Sequence, residues 1–260
     1  MSTQQPQYME RVNRLKNRVL STRPEMDLEN ARLLTEGFRE AEGLPLVVRK
    51  AKAFQKQCQE KTVTIWDDEL IVGCSGSKTR AGILCADTCW SVLNAELETI
   101  SERRYDPFYL QPEDKQIFEQ EIRPYWKGRS NFEEWLAQIP DDTRALRDHG
   151  VVYINRKAVR GWGETTAGYE WIIREGVKGI SRVVAERKAR LDITVPGDYE
   201  KDYYLNSLLI VGQGMVALAE RYAAEAERQA EAEQNPRRKQ ELQQIAATCR
   251  HVPANPARTF

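Results

Sequence analysis

Apolar residues recur at helical spacing along most of the chain. Over residues 8–20, Met9, Val12, Leu15 and Val19 share one face while arginines and lysines occupy the other, which predicts an amphipathic first helix. Similar patterns predict further helices over residues 28–42, 46–59, 91–100, 112–122, 131–139, 166–188, 199–232 and 237–249. Asp27 is the expected N-cap of the second helix. We expect the first three helices to form an outer layer.

The longest predicted helix, residues 199–232, should bury one apolar face. The side chains that we expect there are Leu205, Leu208, Leu209, Met215, Leu218 and Tyr222. Its Ala/Glu-rich end, residues 223–233, is expected to be solvated.

Three stretches depart from helical spacing. Residues 62–65 alternate with period two and residues 70–73 are apolar, so a hairpin or two short strands are predicted around the acidic turn between them. Residues 151–159 form the best candidate strand of the second half. The long connector 74–90 predicts a functional or interface-packed loop. The predicted fold class is therefore mainly α with a few short strands.

Composition narrows the possible classes of protein. The chain has 260 residues, of which 41% are hydrophobic and 30% charged, as expected of a globular protein with one large or two small cores. Lys+Arg and Asp+Glu both number 39, so no basic excess favours nucleic acid. Residues 1–8 contain no apolar signal-peptide core, and no run of 18 apolar residues occurs. Five irregularly spaced cysteines fit a reducing cytosol, so we expect a cytoplasmic protein.

Three residue clusters could carry chemistry, but each has a structural alternative. Cys85 and Cys89 could bind a metal, yet the other cysteines are too irregularly spaced to complete a site, so buried inert thiols are favoured. The acids at 67–69 could act as acid and base, yet acids between two strands are typical turn formers. The aromatic and basic residues at 125–129 could stack on bases, although neutral charge favours an aromatic plug.

The best candidate site is Arg160-Gly-Trp-Gly-Glu164. An arginine beside glycines can offer its planar fork to a sulfonate, phosphate or carboxylate. Glu164 could accept a hydrogen bond from a substrate hydroxyl or ammonium, and Trp162 could pack the loop. An internal Arg160–Glu164 ion pair is the structural alternative. From the residues alone, both interpretations stay open.

Several segments together resemble the N-terminal part of glycyl radical enzymes of the pyruvate formate-lyase-like superfamily. The similar segments are residues 11–16, 34–43, 67–73, 124–130 and 253–260. The resemblance implies that residues 1–260 form the N-terminal helical portion of a ten-stranded α/β barrel, with one barrel strand at 151–159. Two further stretches, 82–90 and 148–168, most resemble the isethionate sulfite-lyase type, which cleaves the C–S bond of a hydroxysulfonate.

The resemblance makes Arg160, Trp162 and Glu164 substrate-binding residues. In the isethionate type an arginine is followed four positions later by glutamine, whereas this chain has Glu164; related diol dehydratases have histidine there. The arginine agrees and the glutamate departs. The implied substrate is a small hydroxysulfonate such as isethionate, and the alternatives are dihydroxypropanesulfonate or a diol or glycerol dehydratase substrate.

The family's radical chemistry requires parts that these 260 residues lack. They contain no Arg-Val-x-Gly glycyl radical motif, and no cysteine matches the radical-transfer loop. We therefore expect no catalytic residue, cofactor or metal in this chain, and no activity from it alone. In the full-length anaerobic enzyme, a homodimer, a radical S-adenosylmethionine (SAM) activase would install the glycyl radical.

The status of the chain leaves three possibilities. It could be a fragment of a lyase, a helical subunit that pairs with a separate radical-bearing chain, or an inactive truncated product; enclosure in a microcompartment stays open. If it is a fragment, we expect exposed apolar surface on the long helix and near the last residues.

Overall fold

The structure is a computed structural model that describes residues 4–152 and 168–259. The larger helices are α1 (Gln4–Ser21), α2 (Glu29–Glu40), α3 (Leu46–Glu60), α4 (Ala86–Ala95), α9 (Tyr169–Lys188), α10 (Asp198–Ala232) and α11 (Pro236–His251). Between them lie the short helices α5 (Pro112–Ile117), α6 (Arg123–Trp126), α7 (Asn131–Ala137) and α8 (Asp141–Asp148). A π-helical turn, Phe118–Ile122, joins α5 to α6. The expected mainly α fold is confirmed.

Helix α10 is the central helix of the fold, and α3, α9 and α11 pack against it. Small residues make this close approach possible. A Cβ atom at Gly214 would lie 3.1 Å from the Gln55 Cα of α3, and one at Gly212 would lie 3.0 Å from the Val177 Cγ1 of α9. Both contacts are tighter than an ordinary van der Waals contact. The backbone of α10 therefore lies directly against its neighbours.

The burial pattern of α10 differs from the sequence expectation. Of the six large residues expected to be buried, only Tyr222 is, and Leu208 is 38% exposed. The expectation of a solvated end was wrong for one face, whereas residues on the other face, such as Glu227 and Glu231, are exposed. Ala223, Ala226 and Ala230 are buried, and the last two pack with apolar residues of α11 such as Leu242. Small residues face the neighbouring helices because a large side chain would hold those helices apart.

A first core forms where α2 meets α4, the π-helical turn and α6. Phe118 and Ile122 are fully buried there, and the rings of Phe38 and Trp126 meet edge to face at 5.1 Å. The Trp126 Nε1–H donates to Thr35 Oγ1 at 2.8 Å, inside the core. The predicted aromatic plug is thus confirmed for Tyr125 and Trp126, both of which are buried.

The strands differ from those predicted. In the described chain, residues 62–65 and 70–73 form no strand, and Ile65 is buried in the core between α10 and α11. The strands that form are β1 (Glu25–Asp27) and β2 (Ala81–Ile83), paired in parallel with Met26 opposite Gly82. Three-residue strands are too short to show a period, so the residue pattern could not predict them.

Several predicted boundaries also shift. The helix expected over 91–100 is instead α4, and the helix expected from 166 is described from Tyr169 onwards. The predicted N-cap was wrong: Asp27 lies in β1 and Leu28 occupies the N-cap position of α2, although the Asp27 Oδ1 accepts a hydrogen bond from the Glu29 N–H at 3.1 Å. Of the strand predicted over 151–159, residues 151–152 form no strand, and the rest lies outside the described residues.

Helix α1 docks through arginines of its basic face. Arg11 Nη2 donates to both Glu241 carboxylate oxygens at 2.7 Å, and Arg14 binds both Asp68 oxygens at 2.7 Å. Arg18 adds a contact to Glu69 at 3.2 Å. Met9, on the apolar face, is 51% exposed. The acids at 67–69 are therefore the docking partners of α1.

None of the helices in the described part of the chain is long and apolar enough to cross a membrane.

The α1 contact predicts a pH-dependent stability. The hydrogen bond from Arg14 holds the pKa of Asp68 below its ordinary value, with Arg11 and Arg238 contributing. A lowered carboxyl pKa stabilises the fold above about pH 4, the unfolded pKa, and this stabilisation is lost as the pH falls through the folded pKa. Asp68→Asn should cost about 1 kcal/mol at pH 7, measured by urea unfolding, and the difference should vanish in acid. Asparagine tolerates the left-handed backbone there, φ 68°, so the charge alone changes.

Asp67→Asn is the matched control, because Asp67 accepts a hydrogen bond from Arg18 through its backbone carbonyl and not through its carboxylate. Its free energy of unfolding should stay within about 0.5 kcal/mol of the unmodified chain. Equal losses for the two variants, or a loss for Asp68→Asn that persists in acid, would refute the electrostatic docking of α1.

Candidate functional site

The residues predicted to bind substrate, Arg160, Trp162 and Glu164, lie outside the described residues, as does all of 153–167. Their role and the alternative of an internal ion pair stay predictions. The structure does describe what flanks them. Helix α8 and Gly150 precede the segment, and α9 begins two residues after it. The contacts that hold α9 in place are therefore the described geometry closest to the candidate site.

Helix α9 is interrupted at Gly176, and the end of the chain docks into the interruption. The amide N–H groups of Val177 and Lys178 donate to the carbonyls of Pro253 and Ala254, at 2.8 and 3.0 Å. The Ala257 N–H donates back to the Ile173 carbonyl at 3.2 Å. The segment 253–257 thus replaces hydrogen bonds that a continuous helix would make within itself.

Glycine is required at position 176. Its φ of 63° and ψ of 173° lie in a region that is essentially restricted to glycine. A Cβ atom there would lie 2.5 Å from the backbone carbon of Asn255. The segment is held from its other side by His251, whose carbonyl accepts hydrogen bonds from the Asn255 N–H and Nδ2, both at 2.9 Å. The motif 253–260, singled out from the sequence, is therefore the brace of α9 as far as it is described.

The connector 74–90 is packed between elements, one of the two outcomes expected for it. Asp27, which is buried, accepts hydrogen bonds from the Ser77 N–H and hydroxyl. Lys61 Nζ, also buried, donates to the carbonyls of Cys74 and Ser75, at 2.8 and 3.0 Å. Two internal polar side chains thereby fix the shape of the loop.

A cleft of about 560 Å³ lies between this loop and residues 106–108, and two cations line it. Lys78 Nζ donates to the Met26 carbonyl at 2.6 Å and to Asp114 Oδ2 at 2.7 Å. Arg80 Nη1 donates to the Thr22 carbonyl at 3.1 Å. Because both cations already bind groups of neighbouring elements, their role in the cleft is structural.

The cysteines behave largely as expected. Burial raises the pKa of the Cys58 and Cys249 thiols, so both stay protonated and unreactive near neutral pH. Cys85 is exposed, so the expectation of buried thiols was wrong for it. Among the described residues, no group of three histidine, cysteine or acidic side chains could hold a metal ion.

Asp87, in the first turn of α4, was not among the candidates predicted from the sequence. Burial raises the pKa of its carboxyl, and the Lys50 charge opposes that shift. An isolated aspartate in an apolar stretch, Leu84 to Trp90, was the available signal. A carboxyl with a raised pKa can take up protons closer to neutral pH than an ordinary one. Nothing in the described geometry connects this carboxyl to the candidate segment.

Comparison with known proteins identifies a family that shares this sequence and architecture. A family model described as "Pyruvate formate lyase-like" matches residues 4–260. The isethionate sulfite-lyase of Oleidesulfovibrio alaskensis is 34% identical over 260 residues, covering 96% of this chain and 31% of that protein.

Solved structures agree with this relationship. A structure titled for 1,2-propanediol dehydration in Roseburia inulinivorans superposes with a TM-score of 0.90 at 31% identity, over 95% of this chain and 31% of that one. A glycyl radical enzyme from Archaeoglobus fulgidus superposes with a TM-score of 0.88 at 26% identity, over 96% and 32%. The chain thus spans about a third of the length of the relatives that it matches.

The docking of the segment 253–257 at Gly176 leads us to a specific prediction about stability. Gly176→Ala should lower the free energy of unfolding by about 2 kcal/mol or more, because it adds backbone strain of about 1–3 kcal/mol and a clash with Asn255. Thermal or urea unfolding of the purified chain would measure this. Gly168→Ala is the matched control, since it has a negative φ and open space around it. A Gly176→Ala variant as stable as Gly168→Ala would contradict the described docking.

Proposed function

Because the chain belongs to the pyruvate formate lyase-like family, we propose that it forms the N-terminal portion of a glycyl radical lyase. The proposed reaction is cleavage of the C–S bond of a small hydroxysulfonate, isethionate, to acetaldehyde and sulfite. The observation that carries this proposal is the 34% identity to an isethionate sulfite-lyase over 96% of the chain. The presence of Arg160 at the position expected to bind the anion supports it.

Arg160 would bind the sulfonate. A guanidinium group presents parallel N–H donors that match two oxygens of a tetrahedral anion, and it stays charged at every physiological pH. Gly161 and Gly163 have no side chains that would obstruct a substrate approaching the backbone. Glu164 would orient the substrate hydroxyl by accepting its hydrogen bond, and Trp162 would pack the loop.

The reaction itself would need parts outside these 260 residues. A glycyl radical, installed by a radical SAM activase, would supply hydrogen-atom abstraction through a cysteine thiyl. The chain has no Arg-Val-x-Gly motif, so it would bind no cofactor and contribute substrate binding alone. Its partners would be the activase, the small substrate and a second copy of the full-length enzyme.

A dehydratase is the second candidate, and two observations favour it. Glu164 departs from the glutamine expected in the isethionate type, and the structure titled for propanediol dehydration is 31% identical to this chain. A carboxylate could bind a second hydroxyl of a diol, and in that case water rather than sulfite would leave. It could equally bind the second hydroxyl of dihydroxypropanesulfonate, and a lyase that acts on this substrate would still release sulfite.

The test uses the complete polypeptide that contains this sequence, activated without oxygen and supplied with isethionate. We expect sulfite release, and we expect Arg160→Ala to lower kcat/KM about 30- to 150-fold, which corresponds to about 2–3 kcal/mol for charge-assisted hydrogen bonds. Arg160→Lys should recover part of this loss, because it keeps the charge without the fork. Arg190→Ala, at an exposed arginine after α9, is the matched control and should leave kcat/KM unchanged.

The outcomes separate the candidates. Water loss from 1,2-propanediol without sulfite release from isethionate would replace the lyase with the dehydratase. Sulfite release that Arg160→Ala does not slow would remove Arg160 from the substrate site. The 260 residues alone, treated with the activase, should show no glycyl radical by electron paramagnetic resonance.

A further inference from the structure

A groove of about 420 Å³ runs between α9 and α10. It is lined mostly by apolar side chains from the two helices, among them Trp171, Val177, Val184, Leu205, Leu208 and Met215. Of the described residues that line it, Arg187 alone carries a charge. Such a surface suits an apolar protein segment and offers little to a nucleic acid or a small anion.

Large parts of this lining are in contact with solvent. Trp171 is 49% exposed and Tyr204 is 55% exposed, next to Leu208 on the same wall. Apolar surface of this kind, contiguous along two helices, is typical of a contact surface. The expectation of exposed apolar surface on the long helix is thereby confirmed, whereas the exposed residues near the chain end, 256–259, include no large apolar side chain.

Contacts at both ends hold the helices that form the groove. At one end the Gly176 interruption fastens α9 to the segment 253–257. At the other end Lys188 of α9 forms an ion pair with Asp202 of α10. Between them, Gly212 brings α10 to within contact of Val177, which sets the floor. A preformed groove loses little conformational entropy when a partner binds.

The lengths of the relatives indicate what that partner is. This chain superposes over 95% of its own length on a structure of which it spans 31%. The larger part of such an enzyme must therefore contact the third that corresponds to this chain. The exposed apolar groove is a described surface suited to that contact, because burial of apolar area provides most of the driving force for association.

We propose that the groove between α9 and α10 is the surface on which the catalytic portion of the enzyme docks through an apolar segment. This rests on the proposed function in so far as the partner is the remainder of a glycyl radical enzyme. The inference goes further by assigning the contact to one surface, and Leu208 to its exposed centre.

The experiment coexpresses the affinity-tagged 260-residue chain with the complementary part of the Oleidesulfovibrio alaskensis isethionate sulfite-lyase, the part that this chain does not span. We expect the two polypeptides to copurify. Leu208→Arg should reduce the recovered partner at least tenfold, because it places a charge in the apolar contact. Leu46→Arg is the matched control, since Leu46 is also exposed but lies at the start of α3, and it should leave the recovery unchanged.

Each result decides the matter. Undiminished copurification with Leu208→Arg, or none with the unmodified chain, would overturn the proposal. A dimer of the chain alone that Leu208→Arg dissociates, seen by sedimentation, would make a second copy the occupant and would also overturn it. Circular dichroism of Leu208→Arg should match that of the unmodified chain. If Leu208→Arg loses helicity, its effect on copurification is due to misfolding. Tyr204→Arg, at the same wall of the groove, would then have to abolish copurification for the proposal to stand. A copurified complex that releases no sulfite after activation would refute the reaction and leave the docking surface intact.

Discussion

The close approach of three helices to α10 is the constraint on which the rest of the structure depends. Gly214 admits α3, Gly212 admits α9, and the alanines of the last turns admit α11. Because small residues occupy the lines of contact, the large apolar residues of α10 are displaced to the edges of those contacts. Leu205 and Leu208 consequently line an open groove. The same packing that stabilises the bundle thus produces its exposed apolar surface.

The positions of the helices were predictable, but the faces that they bury were not. Helical spacing gave nearly every large helix to within a few residues, because amphipathic periodicity survives in any context. The prediction of the buried face of α10 was wrong because it relied on large apolar residues and gave no weight to the spacing of glycines and alanines. The docking of α1 could not be predicted, because its charged partners, Asp68 and Glu241, lie far away in sequence. Such pairings depend on tertiary structure, which local patterns do not contain.

The candidate site shows the same division between local and distant information. The Arg160–Glu164 pair could be found from residue types at close spacing, and the resemblance gave it a role. The brace at Gly176 could not be found, because its meaning lies in a segment that follows almost eighty residues later. The strand pair β1–β2 was missed for a similar reason, since three residues carry no period and their pairing joins distant parts of the chain.

Helix α9 connects these observations to function. It follows the candidate substrate-binding segment directly in sequence, it is braced by the segment 253–257, and it forms one wall of the apolar groove. A partner that docks in the groove would therefore contact the helix that continues from Arg160 and Glu164. If the radical-bearing part of the enzyme is that partner, docking would bring the reacting groups to the substrate against a helix that the segment 253–257 already holds in place. Binding of the polar end of the substrate and assembly of the catalytic centre would then depend on one rigid element, which is what accurate positioning of a small substrate requires.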